Sequence, residues 1–278
     1  MQRRFLYSLY GIQTLYMLYR IQGTSCQCSP RSVRVPLPAP ITAPASAACR
    51  VAPVPLSADS APFDHPIFSE SLRIIRALLA EQSPAIALDR LSQAEQDVLL
   101  RLIHSGGDIT LAADLRCSPQ ACSAGLAALA AGAPILTDTA MAAAAVAPMA
   151  RRTFQNPVRS VLEWAPAAAP AGSTRTAVGM GQALLELPGA VVLIGSAPTA
   201  LEHLLELVAS GAARAPALVV GMPVGFVGVA ESKRHLAASG LAQIRLQGSR
   251  GGAGLAGAVA NALLRRAWLQ QGNLQARP

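Results

Sequence analysis

Residues 217–233 read ALVVGMPVGFVGVAESK, and the fold is decided there. The stretch opens with four apolar residues, Ala217 to Val220, the composition of a strand buried on both faces. The run stops at Gly221-Met222-Pro223, and glycines follow at 225 and 228. Glycine tolerates unusual φ and lets a ligand approach the backbone closely. A helical pattern starts near Val229, with Glu231 in its first turn, where the helix dipole favours a carboxylate. Strand, glycine-rich turn and helix start make half of a βαβ unit. In open α/β sheets the ligand sits beyond the carboxyl ends of the strands, where such turns lie. A tight structural connection accounts for the same pattern, because glycine in turns is ordinary.

The alternation continues on both sides. Upstream, Ala190 to Ile194 reads as a strand, followed by Gly195-Ser196-Ala197-Pro198 and a helix to Ser210. Downstream, Ala242 to Leu246 is the last strand, and the loop Gly248 to Gly254 leads into a long C-terminal helix. Earlier still, His65-Pro66 precedes a helix from Ile67 to Glu81. Ser92 and Glu95 form a capping box for a helix that ends at His104 before Ser105-Gly106-Gly107. A short helix is expected over Ile109 to Leu115. Another starts at Ser118-Pro119 and stops at Gly132. Pro134 to Thr137 is a strand, Asp138 to Val146 a helix, and Asn156 to Glu163 a strand or irregular segment. Thr174 to Leu187 is a helix. Apolar strands alternating with helices predict an α/β fold in three layers, a mostly parallel sheet with helices on both faces.

Residues 1–62 differ from this pattern. They hold all four tyrosines, six arginines and one acid, a net +5 of the total +8. Phe5 to Ile21 is apolar after Arg3-Arg4, yet it makes a poor signal peptide, diluted by polar residues and lacking a close cleavage site. It is also marginal in length for a membrane span. Arg31 to Pro62 is rich in Pro, Ala and Ser and reads as a linker. A start codon placed too far upstream is the plainer account of the segment. The expected organisation is an irregular extension over 1–62 and one domain over 63–278.

In residues 63–278 the basic side chains are scattered, with no stripe that would serve nucleic acid. Aromatic content of 4% also argues against base stacking. Five cysteines, with no C-x-x-C pair and no histidine at finger spacing, predict a reduced cytoplasmic protein without structural zinc. Cys117 and Cys122 read as packing residues. Gly179-Met180-Gly181 lies inside a helical pattern and is not a dinucleotide fingerprint. The 248–254 loop offers backbone N–H groups to an anion at a helix start, although packing explains it as well. Among the histidines, His104 stands apart, at a helix C-terminus beside a glycine turn; a structural histidine fits that spacing too. The dipole at a helix C-terminus favours its protonated form. Arg175 sits at a helix start, where the dipole disfavours a cation, so an anionic partner or plain solvation must account for it.

Several segments together resemble the precorrin-8X methylmutase family. They are His65-Pro66-Ile67 with Glu70-Ser71 and Ile74-Ile75; Arg101-Leu-Ile-His104-Ser-Gly-Gly-Asp108; Arg116-Cys-Ser118-Pro119; and Ala131 to Asp138 with Met141. Asn156 to Arg159, Thr174-Arg175-Thr176 and Ile194 to Leu201 continue the match. Gly221 to Lys233 is its most specific part, and Gly248 to Gly252 with Asn261 to Leu263 closes it. The resemblance implies an isomerase that moves a methyl group from C11 to C12 of a corrinoid precursor. The substrate is precorrin-8X, giving hydrogenobyrinate, or cobalt-precorrin-8, giving cobyrinate. It implies a homodimer with no separate cofactor and no resident metal. It places the catalytic histidine at His104, and substrate contacts at Ser71, Arg101, Thr174 and Arg175. The Gly221, Pro223, Gly225 and Phe226 turn would line the pocket, and Arg250 would offer a further guanidinium. Phe68-Ser69 stands where the family has a more polar pair. A macrocycle fringed with carboxylates suits separated arginines, which pair with carboxylates in two-point fashion. A non-catalytic tetrapyrrole carrier and a nucleotide-binding module are the competing readings, and no phosphate fingerprint favours the second.

Overall fold

A computed structural model describes residues 63–82 and 88–275. The expected extension and linker over residues 1–62 lie outside the described residues. Nine helices and six strands alternate over the described residues. The helices are α1 (Pro66–Gln82), α2 (Gln93–Gly106), α3 (Leu111–Asp114), α4 (Ala121–Ala130), α5 (Ala140–Arg152), α6 (Arg175–Glu186), α7 (Pro198–Ala209), α8 (Val229–Ala238) and α9 (Ala253–Gln275). The strands are β1 (Leu115–Cys117), β2 (Ile135–Thr137), β3 (Val158–Ser160), β4 (Val191–Ile194), β5 (Leu218–Gly221) and β6 (Gln243–Leu246).

The sheet order is β1-β6-β5-β4-β2-β3. All pairs are parallel except β1 with β6. The period of two along a strand divides the core. Val191 and Leu193 of β4, with Leu218 and Val220 of β5, meet Leu129, Val146, Val259 and Leu263 on one face. Val192, Ile194 and Val219 meet Met180, Leu201, Leu204 and Leu236 on the other. Helices α4, α5 and α9 therefore cover one side and α6, α7 and α8 the other. Helix α2 packs on α9, and α1 lies against α2 through Ile75, Leu79, Leu99 and Ile103. This is the expected three-layer α/β architecture.

Three local expectations need correction, and a fourth is sharpened. The segment expected to be helical up to Leu115 keeps one helical turn in α3, then becomes the antiparallel edge strand β1. Ser118 does not cap α4; its hydroxyl accepts from the Gln243 N–H at 3.0 Å while its own N–H donates to the Gln243 carbonyl, which prolongs the β1–β6 pairing. Helix α5 runs past Val146 and through Pro148 to Arg152. Pro148 forfeits its ladder bond to Ala144 and crowds that carbonyl, and the helix nonetheless continues for one more turn. Asn156 to Glu163 divides into β3 and a single 3₁₀ turn. The rejected Gly179-Met180 pair does lie within α6. A Cβ at Gly179 would come within 2.1 Å of the Val161 carbonyl oxygen, so that glycine serves helix packing.

Between β2 and β4 the connections change face. The chain leaves β2 through α5 on one side and leaves β4 through α7 on the other. Such a switch point opens a crevice at the strand ends where anions commonly bind. Here the protein fills it. Asp138 is fully buried, and one carboxylate oxygen accepts the N–H groups of Gly195, Ser196 and Ala197 at 3.0, 2.6 and 2.8 Å. The start of α7 thus carries its own carboxylate where a nucleotide fold would hold phosphate.

Candidate active site

Two helices bring the expected catalytic group together. Ser71 lies three residues after Phe68 on α1, and His104 three residues after Arg101 on α2. Residues at that spacing share a helix face, and the α1–α2 contact sets the two faces against each other. Ser71 Oγ is 2.7 Å from His104 Nδ1. The Phe68 ring meets the imidazole edge-to-face at 5.1 Å, and the Arg101 guanidinium lies 4.7 Å from the centre of the same ring. Phe68 therefore touches both groups expected to act on the substrate. Its aromaticity went unread in the sequence, where it registered only as a departure from a polar residue; its i,i+3 relation to Ser71 was the available signal.

The capping box at Ser92 and Glu95 starts α2 as expected. Gly107, with φ of 62°, ends it and donates its N–H to Ile103 at 2.8 Å. His104 is thereby held in the last turn. The expectation that this position favours the imidazolium is not met in the free protein. Loss of water from the ring, and next the Arg101 charge, push the imidazole below its ordinary value.

Arg101 is itself unusual. Its Nε is buried without a partner among the described residues, and burial together with Arg265 lowers the guanidinium's pKa. Arg265 is occupied. It donates from Nε to Asp64 at 2.8 Å, while Arg266 donates to Asp97 at 2.6 Å. Arg101 thus keeps donor capacity for an incoming anion. Beside Ser71, an apolar groove of about 490 Å³ runs along α1 between Ile67 and Ile74, which are 73% and 45% exposed. A hydrogen-bond donor for a carboxylate and an apolar wall therefore flank the Ser71–His104 pair.

The remaining expected residues sit elsewhere. Thr174 caps α6, accepting from the Ala177 N–H at 3.2 Å and meeting Thr199 Oγ1 at 2.8 Å. It lines a cavity of about 420 Å³ with Val227 and Gly228, walled by Glu202, Glu206 and Glu231. Arg175 is exposed in the first turn of α6 and donates from Nε to the neutral Pro166 carbonyl at 2.8 Å, with no carboxylate partner among the described residues. Gly221 and Pro223 were expected to line the pocket but are buried. A Cβ at Gly221 would meet Leu236 at 2.3 Å, so its bareness lets α8 close onto the sheet. Phe226, in contrast, is 95% exposed. Arg250 does not offer a free guanidinium. It is bound to Asp108, to Asp114 at 3.1 Å and to Thr110 at 2.9 Å. Cys117 hydrogen-bonds with Cys122, and this bond together with burial pushes the Cys117 thiol up, away from nucleophile or metal-ligand chemistry.

A protein-family model described as precorrin-8X methylmutase matches residues 66–266. The chain belongs to the precorrin-8X methylmutase family. A cobalt-precorrin-8 methylmutase of Synechocystis sp. is 36% identical over 221 residues, 74% of this chain and 98% of that protein. A precorrin-8X methylmutase of Pseudomonas aeruginosa is 46% identical over 173 residues, 60% of this chain and 82% of that protein. The crystal structure of precorrin-8x methyl mutase from Thermus thermophilus superposes with a TM-score of 0.63 at 37% identity, covering 75% of this chain and 99% of that one. The methylmutase family is an isomerase family, so the Ser71–His104 pair stands in an enzyme rather than in a bare α/β binding module.

Proposed function

We propose that this isomerase moves a methyl group from C11 to C12 of precorrin-8X, giving hydrogenobyrinate, or performs the same shift on cobalt-precorrin-8 to give cobyrinate. The observation that carries the reading is the Ser71–His104 contact beside Arg101 and an apolar groove. In this reading the macrocycle lies against Ile67 and Ile74, and Arg101 takes one of its carboxylates. Arg175 offers a second contact from its terminal nitrogens.

His104 begins neutral. The carboxylates of the bound pigment raise its pKa, and it then protonates a ring nitrogen beside the migrating carbon. The electron-poor π-system lets the C11–methyl bond break as the C12–methyl bond forms. The same imidazole recovers the proton, so no atom or electron is gained or lost and one group serves as acid and base. Ser71 fixes the ring orientation through Nδ1 and leaves Nε2 for the pigment. Cobalt, where present, belongs to the substrate.

We further assign the working form as a homodimer in the cytoplasm, without nucleic-acid or membrane partners. Exposed Phe226 and Val227, adjacent in the turn before α8, offer apolar surface that a second copy would cover. No helix among the described residues is long and apolar enough to cross a membrane. The test is incubation of the purified protein with each pigment under an absorption spectrometer. Conversion of either supports the reading. Tight binding with no spectral change to the product overturns it in favour of a carrier.

A further inference from the structure

The chain has a single lysine, Lys233, and it is 2% exposed in α8. A buried ammonium is costly unless its protons are taken up. Lys233 Nζ donates to the carbonyl of Gly248 at 2.9 Å and to that of Arg250 at 2.6 Å. Both carbonyls belong to the loop between β6 and α9. That loop is laced to the glycine turn after β5. The Gly225 N–H donates to the Ser249 carbonyl at 3.1 Å, and the Gly252 N–H to the Met222 carbonyl at 2.8 Å. A Cβ at Gly251 would stand 2.0 Å from the Met222 oxygen, so the two loops touch backbone to backbone.

From the same loop the Arg250 side chain crosses to the other half of the site. It binds Asp108, Thr110 and Asp114, in the segment that follows the glycine stop of α2. His104 is four residues before Asp108. The contacts therefore run without a gap from Lys233 to the Arg250 backbone, through the Arg250 guanidinium, to the turn that ends the His104 helix.

We infer that Lys233 is a positioning residue for the isomerisation, a clasp that sets the His104 turn and the Gly225–Phe226 turn in one fixed relation through Arg250. The inference rests on the methylmutase reading above. The ammonium is faced by Asp114 from α3, by Arg245 from β6 and by Arg234 from its own helix, the last two across a cavity of about 200 Å³. Burial dominates, and it pushes Lys233 down to about 8. The sign matters. A lysine depressed from its unfolded value weakens folding while charged, and that cost fades as pH rises through the folded value. Lys233 is therefore held charged at some expense of stability, as a residue kept for geometry would be. Charge-assisted bonds are about twice as strong as neutral ones, so the clasp loosens above that pH while the fold does not.

The experiment is Lys233→Met, which keeps length and burial. Methionine leaves the Gly248 and Arg250 carbonyls without their donor, and it also removes the cost of burying a charge, so the two effects oppose each other. The expected result is a folded protein with at most a modest drop in melting temperature, faster hydrogen exchange at the Gly225 and Gly252 amides, and a KM within a few-fold of wild type. kcat should fall on the order of ten- to a hundredfold, the scale of a displaced catalytic group. A variant with normal kcat, or one whose fold and activity fail together, overturns the positioning role. In the unaltered protein, protection factors at Gly225 and Gly252 should drop as pH passes about 8; flat protection overturns the clasp even if Lys233→Met does not fold. Substrate-free exchange separates the two readings. If the unaltered protein converts neither pigment while these amides still respond, the reaction is wrong and the clasp stands.

Discussion

In the proposed mechanism His104 is neutral in the free protein, its pKa held down by burial and Arg101, and becomes the acid only when a polycarboxylate arrives. This order has a kinetic signature. The profile of kcat/KM reports the free enzyme and that of kcat the complex. The alkaline limb of kcat should therefore lie at higher pH than that of kcat/KM; coincident or reversed limbs show that His104 is not the donor. His104→Ala should bind pigment nearly as before, because Arg101 and the apolar groove remain. Its turnover should drop by about 10²–10⁴, the worth of a positioned general acid. Single-turnover kinetics beside a spectral titration measures both, and retention of a tenth or more of the rate would make His104 structural. At this scale the sequence was informative about which residues would meet: the fold sets Ser71, Arg101 and His104 side by side. Ser71, Arg101 and His104 came from motifs. What it could not reveal was their electrostatics. The helix-end position argues for a charged imidazole, and only the packing of Phe68 and Arg101 around it reverses that conclusion.

Among the elements, the switch between β2 and β4 is the most specific device. Three N–H groups at the start of α7 depend on one Asp138 oxygen. Asp138→Ala leaves the buried Gly195 N–H and the half-buried Ser196 and Ala197 N–H groups without their acceptor, and at about 1–3 kcal/mol for a buried unsatisfied group the loss should be about 2 kcal/mol or more. Urea unfolding measures it; a loss below about 1 kcal/mol, less than a single orphaned donor, would mean that water replaces the carboxylate. Asp138 was visible in the sequence only as the end of a motif, because its partners lie 57 to 59 positions away. The parallel strands were legible for the opposite reason. Leu218 to Gly221 and Val191 to Ile194 are buried on both faces and read as apolar runs. Edge strand β1 has three residues, one of them Arg116, with no alternation to mark it. Pairing with β6 makes it a strand, and nothing local announces that partner.

For the whole molecule, the family match and the described core both begin after residue 62. We expect a protein lacking residues 1–62 to fold, dimerise and turn over pigment like the full chain; sedimentation and the absorption assay test this, and failure to fold would place the extension within the domain. The charge balance has a second bearing. Twenty-two of the 23 Lys and Arg residues are arginine, and the one lysine is sealed under the 248–250 loop. Amine-directed reagents thus have, apart from the chain's own amino terminus, a single target that the native fold hides. An amine-reactive dye becomes a counter of openings: each Lys233 labelled records one molecule whose clasp has come undone.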